Sequence, residues 1–498
     1  MLPHLPLLLT LVLVAVATAP ARAQSPDLDP RIQKLLSAVS EQRLEQLLRK
    51  LQSFETRNTM SSADSPTRGI GAARQWMFDE LRRSSPRLQV SFDTYQLPKQ
   101  GQRILRDVEL RNVMAVLPGK SARRIYVSAH YDSLARDPKA PAGQGFNWLE
   151  ADNLAPGAND DGSGTVLTME LARVFAESGI EFDATLVFIA FAGEEQGLIG
   201  AKAHAQKAAA ENVAVEAVLN NDMVGNSLGG RGVIDSETVR VFAEGPEDSP
   251  SRQVARFIRR WSGRYYPSHE IRLIARHDRF GRGGDHTAFN QNGYAGVRIT
   301  ESNENYARQH TVDDVVDAVD VAYLARNARV NAAAAAVMAL APPAPRVQPG
   351  QAPERSPSDA ASGRVQGNAA PNGNAGDAEA RQAPGSAAPQ GTQRDTTGRR
   401  PQAGARGPML GRQPSGYDAR LRWEPSPGAT GYRVFWRHAW TPDWEHELVV
   451  GNVTETVLPD VSIDDYVFGV AAIGPGGHES LVSAYVNPPR AEERVTTK

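Results

Sequence analysis

Strand-like and helix-like segments alternate along the middle of this 498-residue chain. Apolar strand-like runs occur at "RRIYVSAHYDS", "ATLVFIAFAG", "EAVLNND" and "GVRIT". Helical spacing of apolar residues occurs at 163–178, 200–212, 252–265 and 313–340. Strands that are rich in Val and Ile and alternate with helices are typical of a largely parallel sheet. The pattern therefore predicts an α/β domain with a mixed, mostly parallel central sheet flanked by helices.

The regions on either side of this alternation extend the domain and then end it. Two amphipathic helices are predicted between residues 29 and 83, and strands follow at "LQVSFDTYQL" and "NVMAVLPG". Residues 342–416 contain no aromatic residue and consist mostly of Pro, Gly, Ala, Gln and Arg. Such a segment buries too little apolar surface to offset its ordering entropy, so we expect a disordered linker.

Order is expected to return after the linker, at residues 417–490. Short alternating strands separated by Pro and Gly turns predict a small β-sandwich there. Trp423, the "GYRVFWR" strand, and Leu458 ahead of "DYVFGVAAIG" resemble a fibronectin type III domain. We expect this sandwich to be a binding element for a cell surface, a polysaccharide or a protein.

The first 23 residues have the pattern of a secretory signal peptide. An apolar run from Leu7 to Ala17 is followed by the small residues Ala21 and Ala23, which form a cleavage pattern. This run is shorter than the roughly 20 apolar residues that a membrane-spanning helix needs. We therefore expect cleavage near Ala23, export to the periplasm or the outside of the cell, and no membrane span. The domain proper would then cover residues 24–341.

Composition limits which molecules the protein can be expected to bind and which interactions can stabilise it. The chain has no cysteine, so an exported product must depend on its core and on bound metal rather than on disulfides. Its formal net charge of -2 gives no support for nucleic acid as a partner.

Five short stretches place residues of metal-ligand type at the end of a predicted strand or at the start of a helix. They are "SAHYDS", "APGANDDGSG", "FAGEEQG", "LNNDMVG" and "RQHTVDD". Each has a structural explanation when taken alone, such as helix capping by Asp160 and Asp161. Because the carboxyl ends of parallel strands share one edge, we expect the five stretches to converge. Imidazole and carboxylate ligands without thiolate suit a hydrolytic zinc site, and a bridging carboxylate would allow two ions.

With these stretches in order, the chain resembles the secreted co-catalytic di-zinc aminopeptidases of the bacterial leucyl aminopeptidase type. The resemblance runs from about Leu44 to Leu340 and includes "GIGAARQW", "NVMAVLPG", "AHYDS", "APGANDDGSG", "FAGEEQGLIGA", "NNDM", "GGDHTAFNQNGYAGVRITES" and "QHTVDD". It implies the zinc-dependent exopeptidase fold. It also implies a metallo-aminopeptidase that hydrolyses the N-terminal peptide bond of peptides with a free N-terminus.

The resemblance assigns a role to each residue at the predicted site. His130 and Asp222 would hold one Zn2+, Glu195 and His310 the other, and Asp160 would bridge the two ions. Glu194 would be the general base toward a zinc-activated water. Asp132 and Asp314 would orient the imidazoles of His130 and His310, and the peptide bond between Asp160 and Asp161 would be cis.

The residues leave other functions open. A glutaminyl cyclase is an acyltransferase of a related fold that works with a single zinc ion, and carboxypeptidases of this fold share the ligands. A non-catalytic surface-binding protein on a peptidase fold is the alternative outside enzymes.

The remaining candidates are expected to have minor or structural roles. Asp285 and His286 match a family segment near the substrate cleft, and they would equally suit a capping pair ahead of a short helix. Six histidines match no ligand position and are expected to be solvated or structural: His204, His269, His277, His438, His446 and His478.

Overall fold

The computed structural model describes residues 28–137, 139–140, 144–146, 148–347, 410–412 and 418–486. The predicted signal peptide, residues 1–23, lies outside the described residues, and so does most of the predicted linker. Among the parts of the chain that are described, no helix combines the length and the apolar character needed to cross a bilayer.

An eight-stranded sheet forms the centre of the larger region. Its strands are β1 (Gln89–Leu97), β2 (Val108–Leu117), β3 (Arg124–His130), β4 (Thr185–Phe191), β5 (Val215–Asn221), β6 (Thr238–Ala243), β7 (Glu270–Ile274) and β8 (Gly296–Glu301). Their order across the sheet is β1-β2-β4-β3-β5-β8-β6-β7. The central neighbours β4, β3, β5 and β8 run parallel, whereas β1 with β2, β2 with β4, and β6 with β8 pair antiparallel. The predicted mixed, mostly parallel sheet is thus confirmed.

Helices cover the two faces of this sheet. They are α1 (Pro30–Ser37), α2 (Glu41–Gln52), α3 (Gly69–Ser84), α4 (Gly162–Glu177), α5 (Ile199–Ala210), α6 (Pro250–Tyr265), α7 (His286–Asn290) and α8 (Val321–Leu340). The side chains of α4 and α8 join one continuous apolar core with those of the sheet. In α8 the run Ala332–Ala336 is fully buried, so its small side chains lie between neighbouring elements.

Capping residues explain where two helices depart from the sequence prediction. The N-terminal region holds three helices rather than two, because the Ser40 side chain caps α2 by accepting a hydrogen bond from the Arg43 N–H. The last helix begins at Val321 rather than near 313, since the Asp320 side chain caps it through the Tyr323 N–H. Side-chain caps satisfy N–H groups that have no partner within a helix.

The second region is entirely β-structure, which confirms a separate all-β region. Its strands are β9 (Leu410–Arg412), β10 (Ala419–Arg422), β11 (Gly431–His438), β12 (His446–Gly451), β13 (Glu455–Leu458), β14 (Tyr466–Ile473) and β15 (Ser483–Ala484). They form a three-stranded sheet, β13-β10-β9, and a four-stranded sheet, β12-β11-β14-β15. Both sheets contribute to one core that includes Trp423, Val434 and Phe468. The fibronectin type III assignment stays a prediction.

Polar contacts join the all-β region to the α/β region. In α6, Arg256 donates through Nε to the Pro442 carbonyl at 2.6 Å. In the all-β region, Arg437 donates a hydrogen bond to Asp248 of the α/β region at 2.6 Å. The His478 ring, also in the all-β region, lies 3.0 Å from the Asp29 carboxylate. The all-β region therefore packs against α6.

Two helical glycines give a test of how tightly α4 is packed at its first turn. A Cβ on Gly164 would lie 2.3 Å from the Asn221 carbonyl oxygen and 2.6 Å from both carboxylate oxygens of Asp161, whereas a Cβ on Gly263 in α6 would meet nothing within 4 Å. We expect Gly164→Ala to lower stability by about 1–3 kcal/mol, as overpacking does. Gly263→Ala should instead raise stability by up to about 1 kcal/mol. Thermal unfolding of both variants measures the difference, and equal shifts would contradict the packing at α4.

Candidate metal centre

The predicted site residues meet at the carboxyl edge of the parallel strands. His130 ends β3, Asp222 directly follows β5, and Glu194 and Glu195 lie in the turn after β4. Because β4, β3 and β5 are parallel neighbours, these positions share one edge of the sheet. The loop before α4 and the loop after β8 bring further acidic residues and His310 to the same place.

Asp160 lies between the two histidines. Its Oδ1 is 3.3 Å from Nε2 of His130, and its Oδ2 is 3.0 Å from Nε2 of His310. Asp222 Oδ1 lies 3.9 Å from Nε2 of His130, and Glu195 Oε1 lies 2.9 Å from Nε2 of His310. The five residues predicted as ligands therefore form two adjoining groups, with Asp160 in contact with both histidines. The peptide bond between Asp160 and Asp161 is cis.

Asp161 also lies at this edge of the sheet, but its carboxylate accepts hydrogen bonds from backbone N–H groups. It lies close enough to His130 and Asp222 to share an ion with them. Its Oδ2 accepts a hydrogen bond from the His130 N–H at 3.1 Å, while Oδ1 accepts from the N–H groups of Gly164 and Met223 at 3.0 and 3.1 Å. This carboxylate thus fixes the end of β3, the start of α4 and the turn after β5 relative to one another.

Asp132 holds the turn that carries the two glutamates. Its Oδ1 accepts from the Glu194 N–H, and its Oδ2 accepts from the Glu195 N–H, each at 3.1 Å. The His130 ring is closer to the Asp132 carbonyl, with Nδ1 at 3.2 Å, than to the Asp132 carboxylate at 3.5 Å. Asp132 therefore lies beside His130, as the sequence predicted, but its carboxylate chiefly positions Glu194 and Glu195.

The expectation that Asp314 orients the His310 imidazole is wrong. Asp314 accepts hydrogen bonds from the N–H groups of Asn159 and Asp160, at 2.8 and 3.0 Å. The physical reason is that the loop before α4 directs two backbone donors at this buried carboxylate. Asp314 therefore positions the Asp160 loop rather than a ring.

The side chains of the two adjacent glutamates are placed differently. Glu195 is buried, and its Oε1 accepts no hydrogen bond within the described residues, although the His310 ring nitrogen lies 2.9 Å away. The carboxylate of Glu194 is half-buried, and neither oxygen accepts a hydrogen bond from the described part of the chain. Burial raises the pKa of Glu194 well above its ordinary value, and the neighbouring carboxylates of Glu195 and Asp222 act in the same direction.

Negative charge dominates the site. Burial disfavours protonation of His130, but Glu194, Asp132 and Asp160 outweigh it and hold its pKa well above the usual range. The same balance, with Glu195 and Asp160 as the anions, raises the pKa of His310. Buried carboxylates that outnumber their cationic partners require a compensating charge. The donor types at the site fit Zn2+, because two imidazoles lie beside several carboxylates. One of these carboxylates, Glu195, is buried, and its Oε1 accepts no hydrogen bond within the described residues.

Two residues that sequence reasoning missed or left aside complete the centre. Arg298 in β8 is buried and lies 2.7 Å from Asp222 Oδ2, which leaves Oδ1 facing His130. Asp285 is buried too, and neither of its oxygens has a hydrogen-bond partner among the described residues. Burial raises its pKa well above the ordinary value. Asp285 does not cap α7 with its side chain, so the capping explanation for it is wrong.

His286 has a structural role. Its Nε2 donates to the His277 carbonyl at 3.0 Å, and burial lowers its pKa to about 4, so the ring is neutral near pH 7. His204 and His269 are held similarly, His204 by Asp93 at 2.8 Å and His269 by Asn327 at 2.9 Å. These contacts agree with the structural roles expected from the sequence.

Comparison with known proteins identifies similar sequences and folds. Residues 112–335 match the model of the family described as peptidase family M28. A probable zinc metalloprotease of Pyricularia oryzae is 35% identical over 499 aligned residues, which cover 92% of this chain and 84% of the relative. A probable zinc metalloprotease of Leptosphaeria maculans is 33% identical over 490 residues, covering 91% of this chain and 96% of the relative.

Solved structures share parts of the architecture. The aminopeptidase LapA of Legionella pneumophila superposes with a TM-score of 0.49 and 21% identity, covering 64% of this chain and 78% of that one. A glutaminyl cyclase of Porphyromonas gingivalis superposes with a TM-score of 0.45 and 16% identity, covering 59% and 97%. At these values neither similarity distinguishes between the two activities.

Arg298 offers a test of the charge balance at the centre. Arg298→Met should leave Asp222 buried without its guanidinium partner, which lies 2.7 Å from Asp222 Oδ2. Removing one partner of a buried ion pair costs about 3–5 kcal/mol. Arg272→Met is the matched control, since Arg272 is 46% exposed and pairs with Asp235 and Glu270 at the surface, where about 1 kcal/mol or less is expected. Comparable losses in thermal stability for both variants would contradict this assignment.

Proposed function

This chain belongs to peptidase family M28 and is a homologue of zinc metalloproteases, and from that premise we propose that it is a secreted aminopeptidase with two Zn2+ ions per chain. The observation that carries the proposal is the position of Asp160, with one oxygen toward His130 and the other toward His310. A carboxylate placed in this way is suited to bridge two ions. A glutaminyl cyclase with a single zinc ion would need only one of the two histidine–carboxylate groups that Asp160 joins.

In this proposal the metal ligands are the five residues expected from the sequence. His130 and Asp222 would hold one ion, Glu195 and His310 would hold the other, and Asp160 would serve both. Zinc bound there would polarise the scissile carbonyl and lower the pKa of the attacking water. Asp132, Asp161 and Asp314 keep the ligand loops in place through the backbone hydrogen bonds described above.

Glu194 is the proposed general base. Its carboxylate is half-buried and accepts no hydrogen bond from the described residues, so it is free to contact substrate and water. It accepts a proton from the attacking water as the water oxygen bonds to the carbonyl carbon. It then gives that proton to the amine nitrogen as the peptide C–N bond breaks. Its neighbour Glu195 is turned toward His310, so the two glutamates do not compete for one role.

The surplus of carboxylates supports recognition of a free N-terminus. Asp285 is not among the proposed ligands, and neither of its oxygens is paired within the described residues. The site as a whole contains more carboxylates than cationic groups, so it would attract the α-ammonium group of a substrate and repel a terminal carboxylate. This favours an aminopeptidase over a carboxypeptidase that uses the same ligands.

The sequence features at the two ends complete the proposal. The signal-peptide pattern of residues 1–23 supports export with cleavage near Ala23. A fibronectin type III-like β-sandwich at the C-terminal end would act as a binding element for a surface, a polysaccharide or a protein.

Substitutions at the adjacent glutamates separate base from ligand. Glu194→Gln should retain zinc but lower kcat by about 10²–10⁴-fold, the usual contribution of a general base. Glu195→Ala should lower the zinc content, because a ligand is lost. Metal analysis and peptide hydrolysis measured on the same samples give both quantities, with the exposed Glu211→Gln as the control that changes neither. Near-normal turnover in Glu194→Gln would refute the base assignment.

Blocking the substrate amine tests the direction of attack. Aminoacyl amides with a free α-amine should be hydrolysed, and their N-acetylated counterparts should show kcat/KM lower by about 100-fold or more. A loss of about 100-fold corresponds to about 3 kcal/mol, which is the lower end of the cost of removing one partner of a buried charge pair. Chelator should abolish hydrolysis of the free-amine substrate. Equal rates on free and acetylated substrates, or release of C-terminal residues first, would exclude an aminopeptidase.

A further inference from the structure

Two histidines and a glutamate come together in the all-β region, far along the chain from the proposed catalytic residues. One ligand-type atom from each of His438, Glu445 and His446 lies within 4.8 Å of the other two. We propose that these three side chains, hereafter the hairpin site, bind a further Zn2+ ion independently of the centre at the sheet edge. The sequence alone led us to expect solvated or structural roles for both histidines.

Strand register brings the two imidazoles to the same face. His446 opens β12 and pairs with Trp436 of β11, and His438 follows Trp436 by two residues. Residues two apart on a strand point to the same face, so His438 and His446 are diagonal neighbours across the two strands. Residues 439–445 form the connection between the strands, and Glu445 is the last of them.

Aromatic rings hold both imidazoles. Trp436 stacks on His446 with ring centroids 5.1 Å apart and an interplanar angle of 20°. Trp440 stacks on His438 at 4.6 Å and 28°, and Tyr466 contacts the same imidazole at 4.5 Å. Ring positions that are restricted before an ion arrives reduce the entropy lost on binding.

Glu445 is fixed beside His438 by hydrogen bonds. Its Oε2 accepts from the His438 N–H at 2.7 Å and from the Thr441 hydroxyl at 2.9 Å, and Nδ1 of His438 lies 2.9 Å away. A charged carboxylate next to imidazole either binds an ion directly or orients the ring that does.

The donor set selects the kind of ion. Two imidazoles with one carboxylate suit Zn2+, whereas Ca2+ and Mg2+ prefer oxygen ligands throughout. Three protein ligands leave a fourth position for water. The side chains of His438 and Glu445 are about one-third exposed, and His446 is exposed, so an ion can enter from solvent.

The hairpin site spans a loop that touches the α/β region. Pro442, inside this loop, accepts a hydrogen bond from Arg256 of α6, and the neighbouring Asp443 forms an ion pair with Arg259. An ion that ties His438 to His446 would join the two ends of the loop. Zinc binding should therefore stabilise the loop that packs on α6.

Metal counting on the full chain tests the proposal. Wild type and His446→Ala are equilibrated with the same free ZnCl2 concentration, and bound zinc per chain is measured by elemental analysis. We expect His446→Ala to hold one zinc ion fewer while its peptide hydrolysis is unchanged, because the variant leaves the centre at the sheet edge intact. Glu445→Gln should weaken zinc binding at the hairpin site by about 10–100-fold.

A control variant and two other cations test whether zinc binding is specific to the hairpin site. Asp460→Asn changes an exposed carboxylate elsewhere in the all-β region and should bind as much zinc as the wild type. Substituting Ca2+ or Mg2+ for Zn2+ should produce no difference between wild type and His446→Ala. Unchanged hydrolysis confirms that the variant is folded, and the comparison between variants does not depend on how many ions the centre itself holds. Equal zinc content in wild type and His446→Ala would overturn the proposal.

Discussion

Hydrogen bonds from backbone N–H groups to three buried carboxylates hold the candidate metal centre together. Asp132 fixes the Glu194–Glu195 turn, Asp161 joins β3, α4 and the turn after β5, and Asp314 fixes the loop that carries Asp160. A side chain that accepts hydrogen bonds from several backbone N–H groups fixes the segments that carry those groups relative to one another. The chain thus uses one set of acids to place loops, and these loops present a second set toward the ions.

The sequence predicted which residues meet at the sheet edge better than it predicted the contacts around them. Strand ends in a parallel sheet share an edge, so His130, Glu195 and Asp222 could be placed together from local patterns alone. The position of a charged side chain relative to a remote loop is not encoded locally. Arg298 looks like an ordinary residue within a short strand, and only the fold shows that Asp222 is its partner. Asp314 was wrongly paired with the nearest ligand in the sequence.

Secondary structure could be predicted where apolar periodicity was long and uninterrupted. β7 was missed because it has only five residues and two of them are charged, and β6, with one charged residue among six, was missed as well. The boundaries of α2 and α8 were set by the capping side chains of Ser40 and Asp320, which periodicity does not reveal. Pairing of the short strand β9 with β10 also depends on tertiary contact rather than on local pattern.

The short strand β7 has a consequence for how the chain behaves beside other copies of itself. β7 is the last strand at one side of the central sheet, and its backbone would offer hydrogen-bonding groups to any approaching strand. Glu270 and Arg272 are exposed on it, and with five residues it gives little length for pairing. A neighbouring chain that extended the sheet there would have to desolvate both charges. Aggregation through this edge is therefore opposed by the same residues that made the strand hard to recognise.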